Sequence, residues 1–466
     1  MEDELDAIRS NGTWELATLL PGHIAIGLNW VFKVKKDPAG NIVKHKARLV
    51  AERCVQRQGV DFDEIFALVA RMETVRVLLA LAAHSGWQVH HMDVKSVRAP
   101  PPGFIDSDNE NKVLRLRMAL YGLRQAPRAW NAKLDGELTN LGFGRIPLEH
   151  AVYRRTTEAG VLLVGVYVDD LVITVTDEKE IENFKEQMHQ LFDMIDLGLL
   201  SYYLGIEVKQ REGVITLCQS TYAEKVLEQA GMKDCNLSHT PIEHRMELIK
   251  GNTGGGIDVT KFRSVVGSLR YLCNTRPDIA HAVGIVSRHM DAPGAPHWAV
   301  VKQILRYVRG TSGYGCCYRR TLEEAELVGY SDSDLAGDIN DRKSTTGVVF
   351  FLHCSPITWT SQKQKVITLS SCEAEYMAAA TAACQGIWLS RLYGELAVSE
   401  PMAVKLYIDK KSAISLSKNP VHHDRKDQTH QPLLAPTLGR KANEHPQRTM
   451  VWAILKATVS RRQCRP

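Results

Sequence analysis

The sequence predicts a mixed chain, α+β with α/β character, made of two acid-bearing units in tandem. Three observations predict it. The stretch Val161–Val175 carries two apolar, β-branched runs with Asp169 and Asp170 at the bend, the pattern of a β-hairpin with acids at its tip. Gln88-Val-His-His-Met-Asp93 alternates apolar and polar residues and ends on a third acid. From residue 326 the order becomes three strands, a helix, a strand and a helix, again with acids at strand ends.

The elements follow in order. Residues 13–85 alternate short strands with a helical run, Thr74–Ala83, and Lys33, Lys35, Lys44, Lys46 and Arg48 punctuate the strands. Taken alone, these cations read as an ordinary charged strand face. Leu120–Trp130 is a loop rich in turn formers, with Gly122, Gln125 and Pro127. In the hairpin, the adjacent carboxylates Asp169 and Asp170 repel one another, a costly arrangement without a cation; the other reading is a solvated turn. Glu178–Phe192 is an amphipathic helix with Ile181, Phe184, Met188 and Leu191 on its apolar stripe. Tyr202–Val208 reads as a strand. Residues 209–325 hold further helical runs such as Val300–Arg309, interrupted by the loop Gly251–Gly256. Glu326–Asp332, Thr345–Leu352 and Pro356–Thr360 read as strands. Ser370-Ser-Cys-Glu373 has capping-box spacing and opens a helix running to about Leu396. Val404–Asp409 is a last strand ending in an acid, followed by a short helix.

Bulk properties narrow the class without choosing a function. A chain of 466 residues has room for about three domains. At 44% hydrophobic and 24% charged residues it is globular rather than disordered. The net charge of +5 permits nucleic-acid binding but does not demand it. No apolar stretch is long enough to cross a membrane. The acidic start, Met1-Glu-Asp-Glu-Leu-Asp6, is the opposite of a signal or transit peptide. The ten cysteines are scattered with no Cys-x-x-Cys, so neither a zinc knuckle nor a thioredoxin site is indicated, and a reducing cytosol is the expected setting.

Trp30–Lys35, Lys46–Ala51, Met92–Lys95, Leu120–Trp130, Tyr167–Asp170, Tyr202–Val208, Ser264–Pro277 and Tyr330–Gly337 stand in the order and wording of one family. Over residues 10 to 425 the chain resembles the reverse transcriptase of copia-type LTR retrotransposons. The resemblance implies a fingers–palm–thumb fold followed by an RNase H-like domain. Residues 1–250 would be the reverse transcriptase (fingers, palm and the start of the thumb), 251–325 thumb and connection helices, 326–426 a C-terminally incomplete RNase H-like domain, and 427–466 a divergent basic tail. It implies Asp93, Asp169 and Asp170 as polymerase catalytic acids, Asp93 and Asp169 holding metal. Asp332, Glu375 and Asp409 become the catalytic, metal-holding acids of the RNase H unit. Glu373 takes the capping role; for Glu375 the other reading is a solvated helix residue. Lys33, Lys46, Arg48, Tyr121, Gly122 and Gln125 would meet nucleotide or template. The implied cofactor is Mg²⁺, two ions per site, with Mn²⁺ as a substitute. The implied partners are an RNA template, a DNA primer, an RNA–DNA hybrid and dNTPs, with no membrane, and the implied place is the cytoplasm, in virus-like particles.

Three departures from the family pattern bear on activity. After Lys95 the family continues with a segment carrying an aromatic that gates against a ribose 2′-hydroxyl. Here Ser96-Val-Arg-Ala99 runs straight into Pro100-Pro-Pro-Gly-Phe104, and Arg98 stands near the missing aromatic. Asp409 is followed by Lys410 where the family has Asn. After Arg425 the sequence Lys426–Pro436 reads like a change of reading frame, and the helix carrying a fourth RNase H acid is missing. The tail Thr437–Pro466 is basic, with an apolar stretch at Met450–Leu455. Nothing resembles a capsid, protease or integrase. The expectation is therefore an impaired RNA-directed DNA polymerase with an RNase H domain. The alternative is a non-catalytic nucleic-acid-binding remnant on the same fold.

Overall fold

The computed structural model describes residues 14–18, 26–36, 42–52, 54–59, 62–94, 112–116, 122–158, 160–243, 246, 248–249 and 257–418. The chain divides into two compact units, Met1–Ala70 with Val89–Gly198, and Arg71–Gln88 with Leu199–Pro466. Tyr121, Arg98, the loop at 251–256, Asp427 and the tail lie outside the described residues.

The first unit begins with β1 (Trp14–Thr18), β2 (Leu28–Lys36) and β3 (Ile42–Ala51). β2 and β3 form a two-stranded antiparallel sheet in which Lys33 stands opposite Lys46, and Val31 opposite Arg48. Next in sequence comes α1 (Met72–Ser85), which belongs to the second unit. β4 (Val89–Val94) and β5 (Lys112–Leu116) follow, and β5 pairs with β1. The rest of the unit is α2 (Ala126–Asn140), β6 (Gly144–Ile146), β7 (Glu149–Thr157), β8 (Gly160–Tyr167), β9 (Asp170–Val175), α3 (Glu178–Leu191) and β10 (Met194–Leu199). Six strands form one sheet in the order β10-β4-β9-β8-β7-β6. β8 and β9 lie in its interior and bury consecutive residues, the signature of strands covered on both faces. Asp177 caps α3 by accepting from the Lys179 amide at 3.0 Å. Ile181, Phe184 and Met188 then fall into the core with Met92, Leu134 and Leu171. Leu191, the last member of the expected stripe, is left 38% exposed, because the helix ends there.

In the second unit, β11 (Tyr202–Tyr203), β12 (Ile206–Arg211) and β13 (Val214–Cys218) lead into α4 (Ser220–Ala230). The single strand expected over Tyr202–Val208 is a tight hairpin instead. Leu204 and Gly205 both adopt positive φ, 48° and 78°, which turns the chain between β11 and β12. The Tyr271 hydroxyl donates to the Leu204 carbonyl and fastens that turn. α5 (Val259–Leu272), α6 (Ala280–Val286) and α7 (Ala295–Gly310) pack with α4 around Phe262, Val266, Leu269, Val301 and Ile304. Arg276 is buried among them, but it is matched. It donates to Asp278 at 2.7 and 2.9 Å and to the Thr311 carbonyl and hydroxyl, while the Tyr307 hydroxyl also donates to Asp278. β14 (Gly315–Arg319) then completes the sheet β11-β12-β13-β14.

A second sheet follows: β15 (Leu327–Ser333), β16 (Thr345–Leu352), β17 (Ser355–Lys363), α8 (Ser371–Ala397), β18 (Val404–Ile408) and α9 (Lys411–Lys418). Its order is β17-β16-β15-β18, antiparallel except for the parallel pair β15–β18. A parallel pair needs a crossover, and α8 supplies it. The Phe350 ring lies over Gly329 and against Gly386, where a Cβ would approach it to 2.4 and 3.2 Å, so the two glycines admit α8 to the sheet. α1 packs on β14 and β17 with Thr74–Ala83 buried throughout. Its Arg76 donates to the Asn274 carbonyl at 2.9 Å and lies 4.0 Å over the Trp359 ring.

Candidate active sites

In the first unit the β8–β9 hairpin turns on two residues, Val168 and Asp169, because Tyr167 and Asp170 close it as partners. Val168 sits at φ 54°, a left-handed conformation that a β-branched residue rarely adopts. Its carbonyl accepts from the Trp130 indole at 2.8 Å, which pins the turn to α2. β4 pairs with β9 so that Asp93 and Asp170 are directly opposite one another. One residue on, the Val94 amide donates to the Asp169 carbonyl at 3.1 Å. All three acids therefore meet at one end of the β4–β9 pair, each partly exposed. His91 adds a group that the sequence reading missed. Its Nε2 lies 2.9 Å from Asp170 Oδ1, a diagonal cross-strand contact. The available signal was its place two residues before Asp93 on the same strand face.

Gly122 and Gln125 lie at the end of β3. Gly122 has φ 91°, and a Cβ there would stand 2.5 Å from the Ala51 carbonyl, so only glycine lets this loop approach. Gln125 accepts from Gln56 Nε2 at 2.9 Å, and Gln56 in turn accepts from the Arg124 amide. Both residues thus anchor the loop to its neighbour. Lys33 and Lys46 stand opposite one another in the separate β2–β3 sheet, and Arg48 stands opposite Val31.

In the second unit Asp332 is the penultimate residue of β15, and Asp409 follows β18. The parallel register aligns Ser331 with Ile408, so the two acids leave their strands side by side. Ser370 caps α8 by accepting from the Glu373 amide at 3.1 Å, and Glu373 accepts from the Leu369 amide at 2.7 Å. Glu373 is thus engaged in the helix start. Glu375, two residues on, is buried beside Asp332. The Ser333 amide donates into the same pair. Burial, then Asp332 and Asp409, push the Glu375 carboxyl up to about 7, with Lys410 acting in the opposite sense. Asp332 is also raised, by burial and then by Asp409. Glu375 Oε2 has no hydrogen-bond partner.

That orphaned, buried carboxylate oxygen beside two further carboxylates suits a hard divalent cation, since oxygen donors and surplus negative charge are what such an ion takes. As the side chains are placed, no three His, Cys, Asp or Glu among the described residues are close enough to hold an ion. Asp332, Glu375 and Asp409 thus offer the donor type such an ion takes without being placed as a ligand set. No helix of the described residues is long and apolar enough to cross a membrane.

Residues 11–244 match the family model described as Reverse transcriptase (RNA-dependent DNA polymerase). The chain is similar to the retrovirus-related Pol polyprotein from transposon TNT 1-94 of Nicotiana tabacum, 38% identical over 446 residues, covering 91% of this chain and 33% of the relative. It is similar in the same way to the retrovirus-related Pol polyprotein from transposon RE1 of Arabidopsis thaliana, 36% identical over 437 residues, covering 91% of this chain and 30% of the relative. The putative transposon Ty5-1 protein of Saccharomyces cerevisiae is 35% identical over 283 residues, covering 60% of this chain and 91% of that protein. The chain spans about a third of the length of the plant Pol polyproteins it matches. With the acids of the hairpin and of β4 gathered at one strand end, the chain belongs to the reverse transcriptase family of copia-type retrotransposon Pol polyproteins.

Proposed function

We propose that the chain is the RNA-directed DNA polymerase and ribonuclease H portion of a copia-type element, working by metal-assisted phosphoryl transfer at two carboxylate sites. The observation that carries the reading is the cross-strand pair Asp93–Asp170 with Asp169 in the strained turn beside it. The six-stranded sheet would be the palm, β2–β3 part of the fingers, and the α4–α7 body the thumb and connection. Asp93 and Asp169 would hold Mg²⁺, which when bound neutralises charge developing on the transferred phosphoryl group. Asp170, held by His91, and the Trp130-pinned turn orient that pair. Lys33 and Lys46, opposite one another in the β2–β3 register, would meet a triphosphate or template phosphate. The β15–β18 sheet with α8 would be the RNase H-like site, acting on the RNA of an RNA–DNA hybrid held through its phosphates. The reading places the work in the cytoplasm. Mg²⁺-dependent extension of a DNA primer on an RNA template, absent in Asp169→Asn, tests it.

A second reading, a nucleic-acid-binding remnant without turnover, is favoured by the sequence departures after Lys95 and Arg425. Equal, negligible extension by the wild-type chain and Asp169→Asn, with RNA–DNA binding intact, would select it.

A further inference from the structure

Gln364 follows β17 and is 8% exposed. Its Nε2, with two hydrogens to give, lies within hydrogen-bonding distance of three oxygens on three elements, namely Ser333 Oγ at the end of β15 at 3.1 Å, Thr346 Oγ1 on β16 at 3.0 Å and the Ala374 carbonyl in the first turn of α8 at 3.0 Å. Its own amide donates to the Ser344 carbonyl at 2.8 Å, fixing the backbone from which the side chain reaches. Ser333 is the residue after Asp332, and Ala374 the residue before Glu375. One buried amide therefore ties the side chain of the residue after Asp332 to the carbonyl of the residue before Glu375.

The orientation of that amide is dictated. A backbone carbonyl can only accept, so the end facing Ala374 must be the NH₂ group. Gln364 Oε1 is left buried without a partner as a result. Turning the amide over would give Oε1 the Ser333 and Thr346 hydroxyls, but would set oxygen against oxygen at Ala374. The unfavourable end is tolerated where the favourable end holds α8 to the sheet.

We propose that Gln364 is a positioning residue of the Asp332–Glu375–Asp409 cluster. Its amide sets the spacing of Asp332 and Glu375, and through it the affinity of the cluster for a hard divalent cation, without touching that cation. This rests on the reading of the cluster as a cation-holding site. The same amide anchors the start of α8 beside a cap, Ser370 with Glu373, that fixes the helix by itself. Losing the amide therefore changes spacing more than it changes helix formation.

The test is Mn²⁺ binding by the full chain, followed through the paramagnetic resonance of free Mn²⁺, in an Asp169→Asn background that removes a ligand of the first site. Glu375→Gln should abolish one class of bound Mn²⁺. Gln364→Met, similar in length but without donors, should weaken that same class by about tenfold or more, the usual effect of losing a group that orients a metal ligand. Its thermal midpoint should stay close to the parent's. Thr346→Val, which removes one anchor of the amide, should weaken it about two- to threefold by the same route. Loss on Glu375→Gln with unchanged affinity in Gln364→Met overturns the proposal alone. No loss on Glu375→Gln overturns the cation reading and the proposal with it. Should Gln364→Met not fold, Thr346→Val decides, and an unchanged affinity there overturns the role of Gln364.

Discussion

Asp93 on β4 stands directly opposite Asp170 on β9, in a pairing that continues back through Met92 with Leu171 and His91 with Val172. Two carboxylates at facing positions of an antiparallel pair repel, and this pair closes the exposed end of otherwise buried strands. The register is held by the core residues Met92, Leu171 and Ile173. A one-residue slip would move them to the opposite face of the sheet and out of this core, so packing enforces the meeting of the acids.

The first prediction concerns those acids. Asp93→Asn and Asp169→Asn should each lower Mg²⁺-dependent primer extension by about 10³-fold or more, since a lost metal ligand removes several kcal/mol of transition-state stabilisation. Binding of a primer–template should hardly change, because phosphate contacts carry it. Gel-based extension and fluorescence anisotropy on the same variants measure the two quantities separately. Extension that persists in Asp169→Asn would remove this site from the chemistry.

The second concerns the turn that carries Asp169. Val168 is held at φ 54° while its carbonyl takes the Trp130 hydrogen bond. Trp130→Phe should cost about 1 kcal/mol of stability, the usual net value of one hydrogen bond. Val168→Gly removes left-handed strain but adds backbone freedom, so its stability should lie within about 1 kcal/mol of wild type. Extension should slow in both. Denaturant unfolding reads the first effect, and a Val168→Gly variant that is much less stable would contradict the strain argument.

How much of this was legible in the sequence depends on range. The hairpin was legible because β-branched runs on both sides of Asp169 and Asp170 report a local geometry. The α8 cap was legible for the same reason, since Ser370 and Glu373 are one turn apart. The β11–β12 hairpin was not. Leu204 carries no turn signature, and its positive φ goes with a hydrogen bond from Tyr271, far along the chain. Trp130 with Val168, His91 with Asp170 and Gln364 with Ala374 were equally hidden, because each pair is chosen by tertiary packing. The grouping of α1 with the C-terminal sheet was hidden for a further reason. Its run of apolar residues has no stripe to say what covers it, and the side chain that shows it is a buried arginine, Arg76.

The third prediction is a pH dependence. His281, whose Nδ1 lies 3.2 Å from Ser361 Oγ, is held down to about 4 by burial and then by Arg288. The unfolded chain binds a proton near the ordinary 6.5, so between 6.5 and 4 the unfolded state carries more protons than the folded one. Stability from this group is full above 6.5 and falls as the pH drops towards 4, by at most about 3 kcal/mol. His281→Gln should flatten that limb of the stability–pH curve. Equilibrium unfolding at pH 7 and pH 4.5 compares them, and an unchanged slope in the variant would rule His281 out as the cause.

The fourth concerns the sugar. The chain runs from Lys95 into prolines without the family's gating aromatic, in a region outside the described residues. Selectivity for a missing hydroxyl needs a side chain that fills its place. Any extension by this chain should therefore accept ribonucleotides within about tenfold of deoxyribonucleotides, a preference worth no more than about 1.4 kcal/mol. Single-nucleotide incorporation with matched NTP and dNTP measures the ratio. A strong dNTP preference would show that another group, such as Tyr121, supplies the gate.

The fifth separates binding from cleavage at the second site. Asp332, Glu375 and Asp409 gather at one edge of the sheet, with Glu375 protonated up to about pH 7 when no cation is present. On the RNase H reading a fourth acid would be lost with the altered sequence after Arg425, and Lys410 adds a positive charge beside the cluster. A cation there must first displace the proton that Glu375 holds up to about pH 7, so binding should release protons and strengthen from pH 6 to pH 8. One Mg²⁺ should bind tolerably and a second weakly, because octahedral Mg²⁺ demands well-placed oxygens. Cleavage of an RNA–DNA hybrid should then be slower than in a four-acid relative by about 10² or more, the worth of a few kcal/mol of lost charge stabilisation. Hybrid affinity rests on phosphates instead, so it should fall linearly with the logarithm of salt concentration and be the same in Glu375→Gln. Anisotropy titrations across salt, paired with cleavage of an end-labelled RNA strand, read both halves. Cleavage as fast as in an intact relative, lost in Glu375→Gln, would mean that three acids suffice and that the altered sequence after Arg425 costs this site nothing.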